Sequence, residues 1–199
     1  MPSSRLEAFS DGVLAIIITI MVLELKHPDG DTLSAFVHST GLSLLTYLLS
    51  FVYVGIYWSN HHHLFQVVER VDGVVLWANL HLLFWLSLLP LSTAWLDDTH
   101  VRRDPTILYG VNLLLAAVAY YVLQAAIRRL PSGRWLGEVL GNDLKGKLSP
   151  LLYLVGIGLA FADPRWSMVP YVGVALMWLV PDRRVERWLE ERDRSTASE

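Results

Sequence analysis

The sequence predicts an all-α polytopic membrane protein, with six transmembrane helices per chain and both ends of the chain cytoplasmic. Three observations carry that prediction. Apolar blocks follow one another along the chain, several of them near the ~20 residues that cross ~30 Å of hydrocarbon. Apolar residues make up 53 % of the 199, and they are gathered into runs rather than spread with the periodicity of a soluble core. Lysine and arginine crowd into alternate connections between the runs.

The first run extends from about Phe9 to Leu25 and stops at Lys26-His27-Pro28-Asp29-Gly30-Asp31, where proline, glycine and charge combine as a breaker. Glu7 and Asp11 stand where a signal peptide would be basic, and no small-residue cleavage site follows, so this run is expected to remain as the first transmembrane helix. The second begins near Ser39 and continues through Tyr53 and Trp58 into Asn60-His61-His62-His63-Leu64-Phe65. The third, Val74 to Leu96, tolerates Pro90 as a kink and ends at Asp97-Asp98-Thr99-His100-Val101-Arg102-Arg103-Asp104-Pro105. The fourth is Thr106 to Ile127. Leu148–Phe161 and Met168–Val180 are short, and we read them as spans rather than as a hairpin that only partly inserts. Residues 1–181 thus form one six-helix transmembrane domain. Residues 182–199 are a short charged tail, expected as a cytoplasmic helix that frays into Ser-Thr-Ala-Ser. The six spans contain no internal repeat.

Charge sets the orientation. With the N-terminus inside, the cytoplasmic segments hold Arg5, Arg70, Arg128, Arg129, Arg134, Lys145, Lys147 and the arginines of the tail. The outer segments hold only Lys26, Arg102, Arg103 and Arg165, and the opposite topology would invert the asymmetry. The lipid bilayer is therefore one expected partner, and no basic patch with interleaved aromatics points to nucleic acid. The chain has no cysteine, which excludes disulfides, thiol catalysis and thiolate metal sites.

Polar residues at the mouths of the apolar runs carry the functional information. A charge near the centre of a bilayer helix costs roughly 2.5–3.5 kcal/mol on insertion scales, less at the interface. Arg5, Ser10 and Asp11 open the first helix, while Asn60 and His61, His62 and His63 close the second at similar depth. A network of Asp11 with a histidine or tryptophan N–H, and of Arg5 with another acceptor, would satisfy these groups. Interfacial solvation is the alternative, and it suits Arg5 better than Asp11. Along the first helix, Ile16, Ile20 and Leu23 share one stripe with Thr19 at its border. Such a stripe packs against lipid or helices, or it lines a narrow pore where several copies meet.

Metal and enzyme chemistry find little support. Adjacent helical positions differ by about 100°, so His61, His62 and His63 cannot all face one ion, and no HExxH pattern exists. P-loop, GxSxG and dinucleotide-fold glycine patterns are absent, as is the TVGYG filter of ordinary potassium channels. Neither a cofactor nor enzymatic activity is expected.

Arg5-x-x-x-Phe9-Ser10-Asp11 at the head of an Ile/Leu-rich helix resembles the transmembrane protein 175 family, the lysosomal potassium channel of animals and its prokaryotic relatives. Trp58-Ser59-Asn60-His61-His62 at the end of the second helix strengthens the likeness, as does the six-span layout. The resemblance implies a potassium channel. Prokaryotic members carry one six-helix repeat and assemble as homotetramers, with the first helices lining a pore that has no TVGYG loop. It further implies bulky apolar constrictions five and twelve positions after the motif aspartate, here Ile16 and Leu23, with Ile20 between them. Thr19 matches a hydroxyl layer tied to potassium preference. Arg5, Phe9, Ser10 and Asp11, with Trp58 and the helix-two histidines, match a polar network that holds the pore helices together, His61 and His62 being the better candidates. The resemblance implies residence in the bacterial cell membrane and permeant potassium ions; animal members also pass protons. Two readings compete with the channel. One is a proton-coupled transporter using Asp11 and the histidines as a relay, which lacks a midplane carboxylate or paired broken helices. The other is a non-conducting membrane scaffold.

Overall fold

The structure, a computed structural model, describes residues 1–25, 27, 30–66, 68–131 and 144–179. The described residues form seven helices: α1 (Ser3–Leu23), α2 (Leu33–Phe65), α3 (Gly73–Ser87), α4 (Leu89–Asp98), α5 (Arg103–Arg128), α6 (Leu144–Leu159) and α7 (Pro164–Leu179). The expected tail and its helix lie outside the described residues.

Local chemistry explains the boundaries. α1 begins at Ser3, six residues before the expected Phe9, because the polar stretch Ser3–Glu7 has no breaker and Pro2 sits just outside the helix. α2 likewise begins at Leu33 rather than Ser39. Thr32 caps it by accepting a hydrogen bond from the Ala35 N–H at 3.1 Å, and Ser39 bonds back to the Ala35 carbonyl at 2.8 Å instead of ending anything. Asp72 caps α3 through the Val75 N–H at 2.9 Å. The third span breaks at Leu88, where Pro90 lacks an N–H and its ring would crowd the Leu86 carbonyl. α3 and α4 together still run as one apolar stretch from Gly73 to Asp98.

Among the described residues, four stretches are long and apolar enough to cross a membrane: α1, α2, α3 with α4, and α5. α6 and α7 have 16 residues each, about 24 Å of helix. They pack as a pair against α5, with α7 also touching α2. The pair accompanies α5 over most of its length. Gly146 and Trp178 share a cavity with Gln124 near one end, and Arg103 lies 6.0 Å from the Phe161 ring at the other.

α1 packs against α2, α3 and α4 on one side of the bundle, and α5 joins α3 and α4 to the α6–α7 pair. Tyr53, Tyr109, Tyr153 and Tyr171 are all buried at the junction of α2, α5, α6 and α7. Their hydroxyls cannot be left to hydrocarbon. Tyr53 Oη donates to the Tyr171 carbonyl at 2.5 Å, while Tyr109 Oη meets Ser50 Oγ at 3.0 Å, which also meets Thr93 Oγ1 at 2.7 Å. Gly110 and Gly156 leave room for the Tyr171 ring, since a Cβ at either would fall 1.9 Å from its Oη or 2.3 Å from its Cε1.

The first residues of the chain meet the α2–α3 connection at one face of the bundle. Pro2 and Arg70 form an isolated antiparallel bridge, with Ser3 N bonded to the Glu69 carbonyl at 3.1 Å and Val71 N to the Met1 carbonyl at 2.9 Å. At that same face, Arg129 lines one groove with Gly73, and Trp178 Nε1 donates to Ser149 Oγ at 2.8 Å.

Candidate functional site

α1 is apolar nearly all round but packs by one side. Its buried residues are Leu6, Ser10, Leu14, Ile17 and Met21, spaced four, four, three and four apart, which is one helical stripe. The opposite face is uncovered within the chain: Ile16 is 60 % exposed, Ile20 42 % and Leu23 76 %. Thr19 is exposed on the same side, and its hydroxyl donates to the Ala15 carbonyl at 2.8 Å.

Two polar ties fasten the first turns of α1 to α2 and α3. The inner tie is dry, because Ser10, His61 and Asn79 are each at most 1 % exposed. His61 Nε2 donates to Asn79 Oδ1 at 2.8 Å, Asn79 Nδ2 donates to Ser10 Oγ at 2.9 Å, and Ser10 Oγ donates to the Leu6 carbonyl at 2.9 Å. The direction of this chain assigns the proton of a neutral His61 to Nε2. Nδ1 is buried without a partner. The outer tie lies toward solvent. Trp58 Nε1 donates to Asp11 Oδ1 at 3.0 Å, and His62 Nδ1 meets Glu7 Oε1 at 2.6 Å. Gln66 Nε2 lies 2.9 Å from His62 Nε2, and the Trp58 and His62 rings stack with centroids 6.2 Å apart.

The three consecutive histidines thus diverge as helical geometry requires. His61 turns inward to α3 and His62 turns to α1; His63 neighbours the His62 ring at 6.0 Å. Among the described residues, no group of three His, Cys, Asp or Glu side chains could hold a metal ion. Ser10, Asp11, Trp58, His61 and His62 are gathered into the ties. Arg5 and Phe9 are not: both are exposed, and Arg5 has no ion pair among the described residues. Neither side chain finds a polar partner within the chain among the described residues.

Sequence reasoning missed Glu7, Gln66 and Asn79. A signal for Glu7 was present: Glu7 and Asp11 are four apart on α1, Trp58 and His62 four apart on α2, so two matched pairs can meet across antiparallel helices. Asn79 was the amide in the middle of an apolar helix, a position that demands a partner.

Comparison with known proteins agrees with this geometry. Residues 5–90, which contain both ties, match the family described as endosomal/lysosomal potassium channel TMEM175. A protein of Chryseobacterium sp. (strain P1-3), named a potassium channel, is 48 % identical over 96 % of this chain and 100 % of its own. Another potassium channel by name, from Streptomyces collinus, is 30 % identical over 88 % of this chain and 91 % of its own. The crystal structure of a lysosomal potassium-selective channel TMEM175 homolog from Chamaesiphon minutus superposes with a TM-score of 0.72 at 29 % identity, covering 89 % of this chain and 96 % of that one. With one relative aligned along its entire length and a solved structure sharing the helical arrangement, the chain belongs to the TMEM175 family of membrane channels.

Proposed function

We propose that the protein is a potassium-permeable cation channel of the cell membrane, a homotetramer with its termini cytoplasmic, whose ion path runs between copies of α1. Ile16, Ile20 and Leu23 form the constriction and Thr19 a hydroxyl layer beside it. The observation that carries this reading is the division of α1 into a face locked to its own subunit and an apolar face that its own subunit leaves bare. The names of its relatives support potassium as the permeant ion. No cofactor is required. α3 with α4 counts as one crossing and α6 and α7 as one each, giving six.

The mechanism follows from the side chains. Ile16 to Leu23 spans seven residues, about 10 Å of apolar wall. A dry ring of that length excludes hydrated cations, and slight separation of the helices admits water and with it the ion. Isoleucine and leucine cannot replace a hydration shell, so discrimination against sodium is weaker than in a carbonyl filter. The ties from Ser10, Asp11, Trp58, His61 and His62 orient α1 and do not touch the ion; Arg5 and Phe9, at the same end of α1, belong to contacts between copies.

Potassium flux from proteoliposomes, with sodium as the comparison ion and valinomycin reporting total trapped potassium, tests this. Wild type is expected to release potassium in preference to sodium, and Ile16→Asn to release both faster. No flux from either form, with an intact tetramer, refutes the channel and favours a scaffold.

A further inference from the structure

We infer that the groove between α3 and α5 is a binding site for an anionic phospholipid, its phosphate held by Arg129. The groove encloses about 600 Å³ on the outside of the bundle, at the face where α3 begins and α5 ends. The small residues Gly73, Ala78 and Ala126 line it together with Val122 and Trp77. Trp77 is 75 % exposed one turn into α3, the depth at which tryptophan marks a membrane interface.

Two polar groups distinguish this groove from an ordinary lipid-facing furrow. Arg129, the residue that follows α5, is exposed and unpaired among the described residues. Asp72, next to Gly73 in the chain, caps α3 through the Val75 N–H and forms no ion pair with Arg129 among the described residues. A basic pocket between transmembrane helices at one membrane face fits an acidic headgroup. The second group is His81, eight residues into α3 and so about 12 Å from its start. His81 Nε2 accepts from Trp85 Nε1 at 2.9 Å, which leaves Nδ1 carrying the proton on an exposed ring. An N–H at that depth finds no acceptor in hydrocarbon. A phospholipid supplies acceptors at both levels: phosphate oxygens at Arg129 and ester carbonyls deeper, toward His81, with an acyl chain lying along Val122 and Trp77. Free phosphate would reach Arg129 alone.

Native mass spectrometry of the purified full-length protein tests the assignment, with POPG and POPC as the probes. Wild type is expected to retain POPG several-fold better than POPC. Arg129→Gln, which breaks no contact among the described residues, should weaken POPG binding about fivefold, the worth of one cation near an anionic surface, and leave POPC unchanged. Equal retention of the two lipids, undiminished POPG binding in Arg129→Gln, or competition by millimolar inorganic phosphate overturns the proposal. A second measurement locates the lipid: quenching of tryptophan fluorescence by bromine-labelled PG should fall in Trp77→Phe. No fall means that the lipid lies elsewhere or that another copy of the chain covers the groove, and either overturns it. Neither readout depends on ion conduction.

Discussion

Replacing Asn79 with leucine should cost about 2 kcal/mol of stability, and the buried tie between α1, α2 and α3 explains why. Leucine keeps most of the volume but removes both the acceptor for His61 Nε2 and the donor to Ser10 Oγ. His61 then holds an N–H with no acceptor in a site where water cannot substitute, because all three residues are at most 1 % exposed. Stranding one buried donor costs about 1–3 kcal/mol, and losing the bond to Ser10 adds about 0.5–1.5. Hydrogen bonds inside membranes run lower, averaging about 0.6 kcal/mol, and leucine returns some apolar packing, so about 2 is the expected net. The assay is reversible unfolding in mixed micelles, run as a double-mutant cycle with His61→Phe. The double variant removes both partners and should be milder than the sum of the singles by at least about 1 kcal/mol. A single variant within about 0.5 kcal/mol of wild type, together with additivity in the cycle, would refute the tie as an energetic unit.

Gly110→Ala and Gly156→Ala should each destabilise by about 1–3 kcal/mol through overpacking against Tyr171. Tyr171→Phe should partly rescue the first, whose added Cβ meets the hydroxyl, but not the second, whose Cβ meets the ring edge; thermal unfolding of the four variants checks the pattern. Trp58→Phe removes the bond to Asp11 at a half-exposed position and should cost no more than about 1 kcal/mol, with the oligomeric state on gel filtration unchanged. Thr19→Val should leave stability within about 0.5 kcal/mol, since the hydroxyl only shares a carbonyl of its own helix, so a change in potassium-to-sodium flux ratio would report on permeation rather than folding.

The apolar runs marked the helices, and Pro90 marked the break inside the third span. Helix starts were harder. α1 and α2 each begin six residues earlier than hydropathy suggested, because a Thr32 cap and tolerated polar residues extend a helix without adding apolar signal. At the site, residue types pointed Asp11 to a histidine or a tryptophan N–H, and Trp58 is the one that lies there. They did not reveal that His61 serves α3 and His62 serves α1, because that choice depends on the rotation of α2 between its neighbours. The isolation of Arg5 was hidden for the same reason: depth can be read from position in a run, whereas facing cannot.

All the polar fastenings of α1 lie in its first eleven residues, and the backbone bonds of Met1 and Ser3 to the α2–α3 connection strengthen the same end. Beyond Asp11, apart from Thr19 bonding to its own helix, only apolar side chains hold it among the described residues. Mechanically, α1 is a lever clamped at its base. Leu23 lies twelve residues past Asp11, about 18 Å along the axis, and Ile16 five residues past it, about 7.5 Å. A swing of about 10° about the clamp carries Leu23 through about 3 Å and Ile16 through little more than about 1 Å. The exposed apolar stripe is therefore graded in compliance, stiff at Ile16 and yielding at Leu23, and a force applied at the far tip displaces its two ends unequally.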